Sequence, residues 1–64
     1  MGDLERDLKR TLKEAGCTFV RPGKGDHEIW WSPISKQHIV VDAGIKSRHT
    51  ANAILKQAGI PKKF

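Results

Sequence analysis

With one cysteine, Cys17, in a chain of 64 residues, no disulfide can close within it. The same scarcity removes the paired cysteines that mark a structural zinc site, and the three histidines stand about ten residues apart on different elements. No run of about 18 apolar residues occurs, which excludes a membrane-spanning helix. The first residues are charged and lack the apolar core of a signal peptide, so the expected location is the cytoplasm. There is no repeat, low-complexity segment or linker, and residues 1–64 are expected to form one domain. Large apolar side chains are few, so at least one of Trp30 and Trp31 is needed inside. A chain this short buries only about 60% of the surface that its unfolded form exposes. With neither disulfide nor metal to offset that, a partner protein is the natural expectation.

Charge is what the chain has in excess. The net charge is +5, and its placement is uneven. Residues 1–15 carry four acids (Asp3, Glu5, Asp7, Glu14) and four bases (Arg6, Lys9, Arg10, Lys13). Residues 16–64 carry eight bases against three acids, Asp26, Glu28 and Asp42. The whole excess lies after the first segment, and such asymmetry points to a polyanion, most simply nucleic acid.

Leu4, Leu8, Leu12 and Ala15 recur at spacings of four and three and predict a helix over residues 3–15. Asp3 is its expected N-cap, Glu5 and Lys9 form an i,i+4 pair, and Gly16 suits the residue after its end. A β-branched and aromatic run predicts a strand over 17–21, stopped by Pro22-Gly23. Further strands are expected over 27–32 and 38–42. A second helix over 47–58 has Ser47 as its cap, an apolar face of Ala51, Ile54, Leu55 and Ala58, and Gly59-Ile60-Pro61 to end it. The expected fold is α+β, in the order α-β-β-β-α. Both helices cover one face of a three-stranded antiparallel sheet, and the other face stays open. Ile39 and Val41 point inward. In the middle strand, alternation allows either His27, Ile29 and Trp31 or Glu28, Trp30 and Ser32 to face the helices; Trp30 is the one expected inward, which leaves His27 and Trp31 on the open side.

Between the first two strands stands Gly23-Lys24-Gly25-Asp26-His27. The glycines let the loop bend tightly, Lys24 puts a charge at its tip, and His27 sits where the loop meets a rigid strand.

In its order of motifs the chain resembles the HicA toxins, small mRNA interferases of bacterial toxin–antitoxin pairs. The resemblance runs from the first helix to Ile60 and rests on Gly16, Val20-Arg21, Gly25-Asp26-His27, Trp30 and Ala53-Ile54-Leu55-Lys56-Gln57-Ala58-Gly59-Ile60. Asp26 and Cys17 depart from the serine and the large aromatic more usual there. The resemblance implies a fold like that of double-stranded-RNA-binding domains. It also implies metal-independent RNA cleavage that depends on His27, and neutralisation by a HicB-type antitoxin protein. No cofactor or membrane is called for.

RNA carries its own nucleophile, the 2′-OH, so its cleavage needs proton transfers and charge stabilisation. His27 is the expected general acid or base, with Lys24 and the backbone around Gly25 and Asp26 at the phosphate. Candidates for a second proton-transfer group are His38, His49, Asp26, Glu28 and water. Arg21, Lys36, Lys46, Arg48 and Lys56 are candidate contacts to the RNA backbone, and Trp31 can stack a base if exposed. The main alternative is a non-catalytic double-stranded-RNA-binding module, for which Lys46-Ser47-Arg48-His49 is a thin basic cluster. A third is a protein-interaction module using the open sheet face or an edge strand.

Overall fold

The computed structural model describes residues 4–42 and 44–64, so Asp3, the expected cap, lies outside the described residues. The first helix, α1, runs Leu4–Glu14 and the second, α2, Arg48–Gln57. Both end in the same way. After α1, Cys17 N–H donates to Leu12 O (2.9 Å) and Gly16 N–H to Lys13 O (3.0 Å). After α2, Ile60 N–H donates to Leu55 O (2.8 Å) and Gly59 N–H to Lys56 O (3.0 Å). Each closure needs a residue in the left-handed region, and Gly16 (φ 97°) and Gly59 (φ 80°) supply it. Ser47 caps α2, its Oγ accepting from His49 and Thr50 N–H.

Strands β1 (Thr18–Pro22), β2 (His27–Ser32) and β3 (Gln37–Asp42) form one antiparallel sheet in the order β1-β2-β3. The first strand starts one residue later than expected and continues through Pro22. Proline has no N–H to give a ladder, but β1 lies at a sheet edge, where none is demanded. A bulge interrupts its pairing with β2 between Phe19 and Arg21.

One core cluster lies between the sheet and the helices. Trp30, Ile39 and Val41 meet Leu8 and Leu12 of α1 and Ala51, Ile54 and Leu55 of α2. Ile39 and Val41 face inward as expected, and of the two phases that alternation allows β2 the fold takes the one with Trp30 inward. Thr11 is also buried, its hydroxyl donating back to Asp7 O at 2.8 Å. The shortest dimension is 16 Å, which leaves room for two layers only. At the far end of the sheet, Ser32 Oγ donates to Ala58 O (2.6 Å) and Gln37 Nε2 to Gln57 O (2.7 Å), satisfying carbonyls at the end of α2. Phe64 packs against the core and is strapped by Asn52, whose side chain bonds Phe64 O and Phe64 N–H.

Glu28 faces the helices from a strand whose other inward residues are Trp30 and Ser32. Its Oε1 accepts from Trp30 Nε1 (3.0 Å), and its Oε2 pairs with Lys9 Nζ (3.1 Å), which also reaches Glu5 (2.9 Å). Glu5 in turn accepts from Gly44 N–H at 2.8 Å, tying α1 to the loop after β3. The indole N–H, with the Lys9 ammonium behind it, holds Glu28 below the ordinary glutamate value of 4.5. Lys9, then the Gly44 N–H, does the same for Glu5. Lys9 is raised, chiefly by Glu5.

Because both carboxyls titrate lower in the folded chain, their stabilisation is present above pH 4.5 and is lost as pH falls through the folded values. Glu28→Gln keeps an acceptor for Trp30 but loses the charge, so its stability should fall less steeply below pH 5 in urea titrations. Glu28→Ala leaves the buried indole N–H unpaired and should cost about 1–3 kcal/mol at pH 7. Equal stability of Glu28→Ala and wild type would remove this cluster from the account.

Candidate nucleic-acid interface

The hairpin between β1 and β2 is closed by two backbone bonds: Gly23 N–H donates to His27 O (2.8 Å), and His27 N–H to Lys24 O (3.3 Å). Gly25 takes φ 66°, a turn conformation that other residues adopt only with strain. Gly23 matters for space instead, since a Cβ there would stand 3.3 Å from both His27 Cβ and Ile29 Cδ1. The loop backbone is thus packed directly onto the histidine. Lys24, Gly25 and Asp26 are exposed around it.

With Trp30 inward, alternation puts His27, Ile29 and Trp31 on the open face. Cross-strand pairing then arranges that face in three ranks. His27 lies opposite Asp42 at one end. Ile29 stands in the middle between Arg21 and Val40, and Trp31 between Thr18 and His38 at the other end. Ranks two residues apart are separated by about 7 Å along the strand.

Asp42 is the neighbour that the sequence pattern did not single out for His27. His27 Nδ1 and Asp42 Oδ1 are 2.7 Å apart, and both side chains are 48% exposed. A carboxylate is acceptor-only, so this contact puts a proton on Nδ1 and leaves Nε2 as the free lone pair or second N–H. Adjacent Asp26 is therefore not the acid that holds the imidazole. Nothing in a single sequence marks Asp42 for this; only the β2–β3 register, which sets residue 42 opposite residue 27, does.

The other candidates are distributed unevenly. His38 shares the open face but lies four residues along, about 13 Å from His27. Glu28 faces the opposite side and is engaged by Trp30 and Lys9. His49 lies in the first turn of α2, within the helix layer. Among the cations, Arg21 and Lys24 are on the His27 side of the molecule. Lys36 sits in the turn joining β2 to β3, at the end of β2 away from His27, with φ 56°. Lys46 and Arg48 line a groove of the helix layer with Asp7 and Lys63, and Lys56 lines another with His49. The histidine end of the open face thus gathers Lys24, Gly25, Asp26 and His27, with Arg21 one rank along beside Ile29. Lys36, Lys46 and Arg48 lie elsewhere. No helix among the described residues is long and apolar enough to cross a membrane.

A family model described as the HicA toxin of bacterial toxin-antitoxin matches residues 6–60, which takes in both helices and all three strands. No curated protein and no solved structure matches the chain.

The Asp42 contact makes a spectroscopic prediction. In long-range nitrogen–proton spectra above neutral pH, neutral His27 should carry its proton on Nδ1. In Asp42→Ala the proton should move to Nε2, the form preferred by free imidazole in water. An unchanged tautomer in Asp42→Ala would mean that the carboxylate does not hold the ring.

Proposed function

The chain belongs to the HicA toxin family, and on that premise we propose that it is the toxin of a toxin–antitoxin pair and acts by cutting mRNA. The observation that carries the reading is the His27–Asp42 pair at 2.7 Å, on the sheet face opposite the two helices and beside a glycine-framed loop bearing Lys24.

The chemistry follows from RNA itself. The 2′-oxygen attacks the adjacent phosphorus while Nε2 of His27 takes its proton. The bond to the 5′-oxygen breaks, and that oxygen takes a proton from the imidazolium or from water. The products are a 2′,3′-cyclic phosphate and a 5′-hydroxyl. Asp42 keeps the proton on Nδ1 and so presents Nε2 in the basic form, then offsets the imidazolium charge as it develops. Lys24 and the loop amides near Gly25 stabilise the extra negative charge on the phosphoryl oxygens. These steps need no metal, because the nucleophile is supplied by the substrate and the proton acceptor by the protein. The proposed partner is a HicB-type antitoxin that covers His27, and the proposed location is the cytoplasm.

His27→Ala should retain the fold and lose about 10²- to 10⁴-fold in cleavage rate, measured on RNA in EDTA. Induced in bacteria, wild type should arrest growth and His27→Ala should not. If both proteins bind RNA equally and neither cuts it, the chain is a binding module of the double-stranded-RNA type. The basic groove of Lys46 and Arg48 then becomes the surface to test.

A further inference from the structure

The rank at the far end of the open face has no part in the chemistry proposed for His27. There Trp31 and His38 meet with ring centroids 5.0 Å apart and planes inclined at 64°. The two tryptophans are treated differently by the fold. Trp30 is 2% exposed beneath the helices, whereas Trp31 is left partly exposed. In the next rank Val40 is 46% exposed, so an apolar side chain stands on the surface between Trp31 and His27. An indole kept on an uncovered sheet face retains a π-surface that a flat ligand can cover. Two rings inclined to one another make a corner, where such a ligand stacks on one ring with its edge towards the other.

We infer that Trp31 and His38 form a nucleobase-stacking subsite for single-stranded RNA, whose strand runs along β2 from His27 with Arg21 at an intervening phosphate. The inference rests on the ribonuclease reading. Three observations carry it. The ranks repeat at about 7 Å, close to the repeat of an extended polynucleotide strand, so a phosphate at His27 brings a base further along the same strand to Trp31. The middle rank supplies one cation, Arg21, between them. The charge near the face does not repel an anion: Asp42 is engaged by His27, the loop's Asp26 stands beside Lys24, Arg21 adds a further cation, and Glu5 and Glu28 lie on the helix side with Lys9. Single strands are selected because bases in a duplex are stacked on one another, and a sheet aromatic can reach only a base that is splayed out.

The test uses tryptophan fluorescence and an uncleavable probe, a 2′-O-methyl oligoribonucleotide pool that lacks the nucleophile. Titrated into wild type, it should quench fluorescence to saturation. Trp31→Phe should keep most of the affinity and lose the quenching, because the remaining Trp30 is buried. Trp31→Ala should bind about 10- to 100-fold more weakly, with an unchanged unfolding midpoint. A perfect RNA duplex should not displace the probe. Undiminished binding by Trp31→Ala, or quenching that persists in Trp31→Phe, would overturn the subsite. So would a Trp31→Ala protein that loses only its antitoxin, which would make the face a protein interface. Cleavage by the same proteins separates the two readings. If Trp31→Ala cuts and binds like wild type, the subsite fails and the His27 reading stands. If wild type neither binds the probe nor cuts RNA, both fail.

Discussion

The seating of Trp30 beneath the two helices sets which way β2 faces, and everything on the open side of the sheet follows from it. The indole is buried in the cluster that holds Leu8, Leu12 and Leu55, and its N–H is held by Glu28, which Lys9 pairs with while also reaching Glu5. Side chains alternate along a strand, so a slip of one residue would exchange every occupant of the two faces. His27 and Trp31 would then be buried, and Glu28 would lose its lysine. A single polar contact in the core thus makes the wrong register costly, in a sheet too small to set its register by area alone. The same cluster reaches Gly44 through Glu5, just past Asp42, and steadies the end of β3 that faces the histidine.

Much of the fold was legible because its devices are local. The leucine stripe of α1, the capping serine of α2, and the glycines after both helices each act within a few residues, and each appears where its spacing puts it. The facing of β2 was only half legible: so few large apolar side chains required one tryptophan inside, but the choice of Trp30 over adjacent Trp31 is made by the fold, where Trp30 is buried and Trp31 is not. What could not be read depends on pairing between strands. Asp42 looks like an ordinary strand end until the register sets it opposite His27. Glu28 reads as a surface acid until Lys9 and Trp30 converge on it. The basic residues looked like one population in the sequence, yet the fold sends Arg21 and Lys24 to the histidine side, Lys36 to the remote turn, and Lys46 and Arg48 to the helix layer.

This division of charge suits the proposed function, in which the toxin would work on RNA and be silenced by a partner. The histidine end is built from an exposed glycine-framed loop and an imidazole paired with Asp42. Access to substrate is then unrestricted, and a partner that covers one sheet face would shut it off. A chain with a thin core and no covalent staple gains stability from such a partner as well.

The central claim is that Asp42 contributes to cleavage only through His27. A double-mutant cycle in the RNA-cleavage rate, with EDTA present, tests it most directly. Asp42→Asn should slow the wild-type reaction and have no further effect once His27 is alanine, so the two losses should not add. If Asp42→Asn slows both backgrounds by the same factor, Asp42 acts independently of the imidazole and the proposed arrangement is wrong.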